Sequence, residues 1–262
     1  MKIHFYKYDG AGNDFIVLQG TVALSNEQVA ALCHRRFGIG ADGLMTLSPD
    51  SSGSDFLMRY YNSDGREATM CGNGGRCIAA HAFRQEMGQG NGHLAFRGPD
   101  GNHQAEVLEW NEARRRGTVR LTMRPVPCAG IGREAEGWLL DTGSPHLVVP
   151  VEELESFDVV GEGRRLRNMT SRWPEGVNVD FIEDLPDGAL AVRTYERGVE
   201  DETLACGTGV TACALVTGKR RIKTRGGEME VTFRKTDAAY EDIRLTGPVS
   251  FNFEGEVEII EN

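Results

Sequence analysis

The chain has 262 residues, room for one large domain or two small ones at ~150 residues each. Apolar residues make up 40% and charged residues 26%, a balance that excludes a disordered tail and is ample for buried cores. Net charge is −10, and basic residues form only short runs of two or three, such as Arg114-Arg115-Arg116, Arg164-Arg165 and Arg220-Arg221, which argues against nucleic acid or an anionic membrane as the main partner.

No apolar run approaches the roughly 18–20 residues of a membrane span. The opening MKIHFYKYDG lacks an apolar signal core, so the expected location is cytoplasmic, with reduced thiols. The 33 glycines recur in short clusters without a collagen period, pointing to tight turns and close backbone approaches. Six cysteines (33, 71, 77, 128, 206, 213) form no CxxC pair and match no common zinc spacing, so no metal is expected.

In chain order, β-rich runs fall at 2–8, 15–18 and 56–61 before the middle of the chain. A helix is predicted over 26–37, with Ser25 as cap, Gln28 three residues on, and Val29, Leu32, Cys33 and Phe37 as its apolar stripe. A second helix, 76–87, follows Cys71 and stops before Gly88. Strands are expected at 119–123, 147–149, 177–182, 189–195, 228–233 and 243–246, with a weaker helix over 164–172. The helix 210–217 follows Cys206 and stops before Gly218. Residues 251–253 and 257–260, separated by Glu254-Gly255-Glu256, read as a closing hairpin.

Four short matches recur in the same order at nearly constant spacing. Gly12-Asn13-Asp14-Phe15-Ile16-Val17 pairs with Gly143-Ser144-Pro145-His146-Leu147-Val148, and Cys71-Gly72-Asn73-Gly74 with Cys206-Gly207-Thr208-Gly209. Tyr61-Asn62 resembles Tyr195-Glu196, and Asp42 has a looser counterpart in Asp180. Collinear repetition over half the chain length indicates a duplicated unit. The expected seams give one domain of 1–124 plus 250–262 and another of 125–249.

Cys71 and Cys206 each precede a glycine-rich turn that opens a helix. Unpaired N–H groups and the helix dipole there favour a thiolate, so a lowered thiol pKa is expected. The same N–H groups can hold a carboxylate. Two thiols acting on opposite faces of a carbon acid suit reversible inversion, one removing a proton while the other delivers one. A redox disulfide is the competing use of two cysteines, as a switch in a non-catalytic binding or thiol-redox protein. Cys33, Cys77 and Cys213 read as core thiols, and His81 as a core or hydrogen-bonded histidine.

Gly12-Asn13-Asp14-Phe15, Tyr61-Asn62-Ser63-Asp64-Gly65, Cys71-Gly72-Asn73-Gly74-Gly75-Arg76-Cys77, Tyr195-Glu196-Arg197-Gly198 and Ala205-Cys206-Gly207-Thr208-Gly209 together resemble the diaminopimelate epimerase family. The resemblance implies interconversion of LL-2,6-diaminopimelate and meso-diaminopimelate without pyridoxal phosphate or any other cofactor, in the synthesis of lysine and peptidoglycan precursors. It implies a mixed α/β (α+β) fold of two pseudo-symmetric domains, each a largely antiparallel sheet wrapped around a central helix, and a homodimer. The resemblance assigns Cys71 and Cys206 as the acid/base pair and His146 and Glu196 as residues tuning them. It places Asn13, Asn62, Gly72, Asn73, Asn178, Glu196, Arg197, Gly207 and Thr208 on the substrate. Arg197 suits a distal carboxylate, which a proline or hydroxyproline racemase would not need. Three departures from the family pattern stand out: Ser144 where many members have Asn, Gly43 where some have Gln, and one extra residue in 199–203.

Overall fold

The computed structural model describes residues 2–68, 71–88 and 90–259. The chain divides into two compact units, Met1–Leu121 with Pro248–Asn262, and Thr122–Gly247. Each is a mixed sheet around a buried helix.

The first unit contains β1 (Lys2–Gly10), β2 (Asn13–Gln19), α1 (Asn26–Cys33), β3 (Gly43–Ser48), β4 (Phe56–Asn62), α2 (Gly72–Arg84), β5 (His93–Gly98), β6 (Gly101–Asn111) and β7 (Arg116–Thr122). Pairing is antiparallel except for β2–β3 and β4–β5. The second unit opens with the two-residue strands β8 (Val126–Pro127) and β9 (Gly132–Arg133). It continues with β10 (Trp138–Asp141), β11 (Pro145–Pro150), α3 (Val159–Arg167), β12 (Asn178–Asp184), β13 (Leu190–Glu196), β14 (Asp201–Thr203), α4 (Gly207–Thr217), β15 (Arg221–Thr224) and β16 (Gly227–Lys235). The last strand, β17 (Ala239–Glu258), pairs with β16 in its first half and with β1 in its second.

Helix α2 packs on β1, β2, β3 and β6, and α4 on β10 to β13 and β16. Both are nearly free of exposed side chains because alanine, cysteine and glycine dominate them, and small residues let strands approach on every side. On the other face of each sheet an amphipathic helix closes a second apolar layer. Val29 and Leu32 of α1 pack with Phe5, Ile16 and Leu44, while Val159 and Leu166 of α3 pack with Leu147, Phe181 and Tyr195.

Several expected boundaries move. The capping box of Ser25 and Gln28 starts α1 as predicted, but the helix ends at Cys33. Nδ1 of His34 accepts from the N–H groups of Arg36 and Phe37, 3.1 Å each, turning the chain away and leaving Phe37 89% exposed. Helix α3 lies earlier than 164–172, because Asp158 caps it by accepting from the Gly161 N–H. Helices α2 and α4 begin at Gly72 and Gly207 rather than after the glycines, since the carbonyls of Cys71 and Cys206 already accept from Gly75 and Val210 at 2.8 Å. Helix α2 also stops before Gly88: Gln85 caps it and Glu86 takes the left-handed conformation. Gly218 caps α4 in that conformation, as predicted.

The closing hairpin is not formed. Residues 251–258 run on within β17, and Gly255 is straight-through strand where a Cβ would stand 3.2 Å from the Phe5 ring. The expected strand end at Ile260 lies outside the described residues.

His81, on α2, is fully buried; its Nδ1 lies 3.2 Å from the Tyr8 hydroxyl, and Arg84 donates to the oxygen of that hydroxyl. Burial, and then the Arg84 charge, pull its pKa down from 6.5 to about 3. The unfolded chain therefore binds a proton below pH 6.5 that the folded chain refuses. Stability should fall by about 2 kcal/mol between pH 6.5 and pH 5 from this residue alone. Asp14 acts lower: burial raises it, but hydrogen bonds from Arg35 and Lys7 outweigh that and bring it to about 2, so its contribution is lost between about pH 4 and pH 2. Denaturant titrations at the two upper pH values, on the wild type and on His81→Gln, check this. An unchanged decline in the variant contradicts it.

Candidate active site

In the first unit Cys71 is the N-cap of α2, with extended backbone (φ −89°, ψ 132°) and a partly exposed thiol. Its Sγ lies 3.6 Å from Asn13 Oδ1, which also accepts from Asn73 Nδ2 at 3.3 Å. Asn13 is held in that orientation because its Nδ2 donates to Asp42 at 2.7 Å. Asp42 is fixed in turn by Arg35 at 2.6 Å. Asn73 Oδ1 accepts from Arg76 at 2.9 Å, so both ends of this amide are engaged inside the unit. Arg76 is fully buried, and its Nε has no hydrogen-bond partner among the described residues. Asn62 stands at the end of β4 opposite Gly43, with an exposed side chain. Gly43 itself has no room for a side chain: a Cβ would stand 2.6 Å from the Tyr60 ring and 2.7 Å from the Tyr61 carbonyl.

In the second unit Cys206 is the N-cap of α4 and only 7% exposed. Its Sγ lies 3.4 Å from Thr208 Oγ1, which is 2.9 Å from Nε2 of His146. Nδ1 of His146 is 2.7 Å from Asp180 Oδ2, and Thr194 donates to the other carboxylate oxygen at 2.7 Å. Ser144 Oγ is 3.0 Å from His146 Nε2 and 3.2 Å from Thr208 Oγ1. Asn178 donates to Ser144 Oγ at 3.1 Å and accepts from the Arg197 N–H at 2.8 Å. Glu196 accepts from the Thr203 hydroxyl at 2.9 Å. The Arg197 guanidinium donates to the Glu175 carbonyl at 3.3 Å and forms no ion pair with a carboxylate among the described residues. Gly72 and Gly207 are the buried first residues of their helices.

The expected depression of the thiol pKa is reversed at Cys206. Burial pushes it well above the usual thiol value, and the charges of Glu196 and Asp180 push the same way. The Thr208 hydroxyl and the Gly209 N–H pull it down, but by less. Helix-terminal N–H groups therefore act at this thiol without deciding its charge. Burial also raises Cys77 and Cys213 well above the usual value and Cys33 to about 12, as fits core thiols.

The strand registers correct one element of the repeat. Phe15 pairs with Gly43 and Met45 with Tyr60; His146 pairs with Asn178 and Asp180 with Thr194. Asp180 is thus the counterpart of Met45, not of Asp42. Its partnership with His146, and the buried Arg76, are what sequence reasoning missed. The available signals were an aspartate inside the apolar run Val177-Asn178-Val179-Asp180-Phe181-Ile182 and an arginine inside an alanine-rich helix.

A family model described as diaminopimelate epimerase matches residues 5–122 and 138–251. A diaminopimelate epimerase of Flavobacterium psychrophilum is 42% identical over 95% of this chain and 98% of its own length. One from Aquifex aeolicus is 37% identical, covering 99% of this chain and 100% of that protein. Among solved structures, a probable proline racemase from Agrobacterium radiobacter superposes with a TM-score of 0.73 at 18% identity, covering 99% of this chain and 93% of that one. That last likeness concerns the fold.

Proposed function

Because the chain belongs to the diaminopimelate epimerase family and is an isomerase, we propose that it interconverts LL- and meso-diaminopimelate through Cys71 and Cys206, without pyridoxal phosphate. The observation that carries this reading is the repetition of one construction: in both units a cysteine caps a central helix whose first turn is glycine-rich. Inversion at a carbon acid needs one group to take a proton and another to supply one from the opposite face, and each unit contributes one such group. Amide N–H groups in the first turns of α2 and α4 are suited to the α-carboxylate, where negative charge develops as the Cα proton leaves.

The remaining polar groups suit a long substrate with an amino-acid group at each end. Arg197 pairs with no carboxylate among the described residues, so its planar fork is available for the distal one. Asn13, Asn62 and Asn178 supply groups that both donate and accept. Of these, Asn62 has an exposed side chain, whereas Asn13 and Asn178 are already oriented by Asp42, Ser144 and the Arg197 backbone. Glu196 and His146 tune the thiols, Glu196 through its charge at Cys206. A redox role for the cysteines makes no use of these amide and guanidinium groups.

The purified, reduced protein should convert LL-diaminopimelate to a mixture with the meso isomer without added cofactor, followed by chromatography on a chiral phase. Recovery of unchanged LL isomer would refute the proposal.

A further inference from the structure

The two units differ sharply at equivalent positions beside their thiols. A Cβ on Gly74 would stand 3.1 Å from Met45 and 3.6 Å from Phe15; one on the equivalent Gly209 would stand 2.3 Å from Asp180 and 3.2 Å from His146. An apolar pair in the first unit is thus replaced by a buried carboxylate and imidazole in the second, both with 0% exposure. Burying such a pair costs desolvation that two apolar side chains would not incur, and it is sustained by hydrogen bonds at both carboxylate oxygens. The imidazole then reaches Cys206 through the Thr208 hydroxyl.

Building on the two-thiol reading above, we propose that Asp180 is a positioning residue that fixes His146 as an acceptor toward Thr208, making the Thr208 hydroxyl a rotor that serves both protonation states of Cys206. With the Nδ1 proton committed to the carboxylate, Nε2 presents a lone pair. When Cys206 is a thiol, Thr208 donates to Nε2 and its oxygen accepts the S–H. When Cys206 is a thiolate, the Thr208 hydroxyl turns and donates to Sγ, and Ser144, 3.0 Å from Nε2, donates in its place. Cys206 Sγ, Thr208 Oγ1 and His146 Nε2 thus each keep a hydrogen-bond partner in either state; the thiol proton is the one exchanged with the substrate Cα, and His146 keeps its Nδ1 proton throughout. A reversible epimerase needs both states of the same thiol, one for each direction. Met45 and Phe15 carry no hydrogen-bond donor on their side chains, so the first unit has no carboxylate–imidazole pair at these positions.

Nitrogen-15 spectra of histidine-labelled wild type, with the His146 signals identified by their loss in His146→Asn, read the ring directly. The Nδ1–H neutral tautomer is expected; an Nε2–H tautomer or an imidazolium would overturn the proposal. Asp180→Asn should lower kcat in both directions by about 10–100-fold while KM stays within about threefold, the size typical of losing a group that orients another. A purely structural role would instead lower the melting temperature and leave kcat per folded molecule unchanged. Should Asp180→Asn fail to fold, Thr208→Val and Thr208→Ser decide. Loss of kcat in the valine variant with retention in serine supports the rotor, and wild-type kcat in the valine variant overturns it. The ring spectrum does not depend on turnover, so absence of wild-type epimerisation would sink the proposed function separately.

Discussion

Cys206→Ala is expected to stop conversion of LL- to meso-diaminopimelate, and Cys71→Ala to do the same, each by at least ~10²–10⁴-fold, the usual worth of one positioned acid or base. The losses should be equally severe in both directions, because each thiol removes the proton in one direction and delivers it in the other. Neither thiol is engaged in a disulfide, and each begins its helix with extended backbone, so alanine fits both sites without disturbing α2 or α4. Cys77→Ala and Cys213→Ala, on the buried faces of the same helices, should cost about 1 kcal/mol of stability and leave turnover intact. Steady-state assays on the four proteins separate the cases. A Cys206→Ala enzyme that still epimerises rules out the two-base scheme.

Arg197→Lys is expected to lower kcat/KM for diaminopimelate by about 2–4 kcal/mol, the usual cost of breaking a closely held charge pair. A lysine ammonium keeps the charge but cannot present two parallel N–H groups to a carboxylate. Loss of that grip at the far end also misplaces the reacting Cα, so kcat should fall along with affinity. Lysine as a substrate lacks the second carboxylate; it should be turned over poorly by the wild type and no worse by the variant. Equal losses on both substrates would make Arg197 structural and remove the distal-carboxylate assignment.

Both expectations come from features the sequence displays openly. The paired Cys-Gly motifs, the Tyr195-Glu196-Arg197-Gly198 segment and the nearly constant spacing of the repeat locate the duplicated architecture and the two thiols, because collinear matches at one spacing mark a duplicated unit. What stayed hidden depends on contacts distant in sequence. Glu254-Gly255-Glu256 has the composition of a turn, yet it runs straight on in β17, paired with β1, where the Phe5 ring lies close against Gly255. Phe37 continues the helical period of α1, but the His34 side chain captures two backbone N–H groups and ends the helix first. The charge state of Cys206 is likewise set by burial and by Asp180 and Glu196, which no local pattern around the cysteine reveals. Asp180 aligns with Met45 only once strand register is known, since the spacing between the repeats drifts from 131 at Phe15 and His146 to 135 at Met45 and Asp180.

The central claim is that the proton delivered at the inverted carbon comes from a thiol other than the one that removed the original. Turnover of LL-diaminopimelate in D₂O, sampled early and analysed by mass, tests it most directly, because thiol protons exchange with solvent before substrate binds. The account predicts that the first meso-diaminopimelate formed carries one deuterium, at the inverted α-carbon, while LL-diaminopimelate remaining at that time carries less than the product. Early meso product that retains its original hydrogen at that carbon would contradict it.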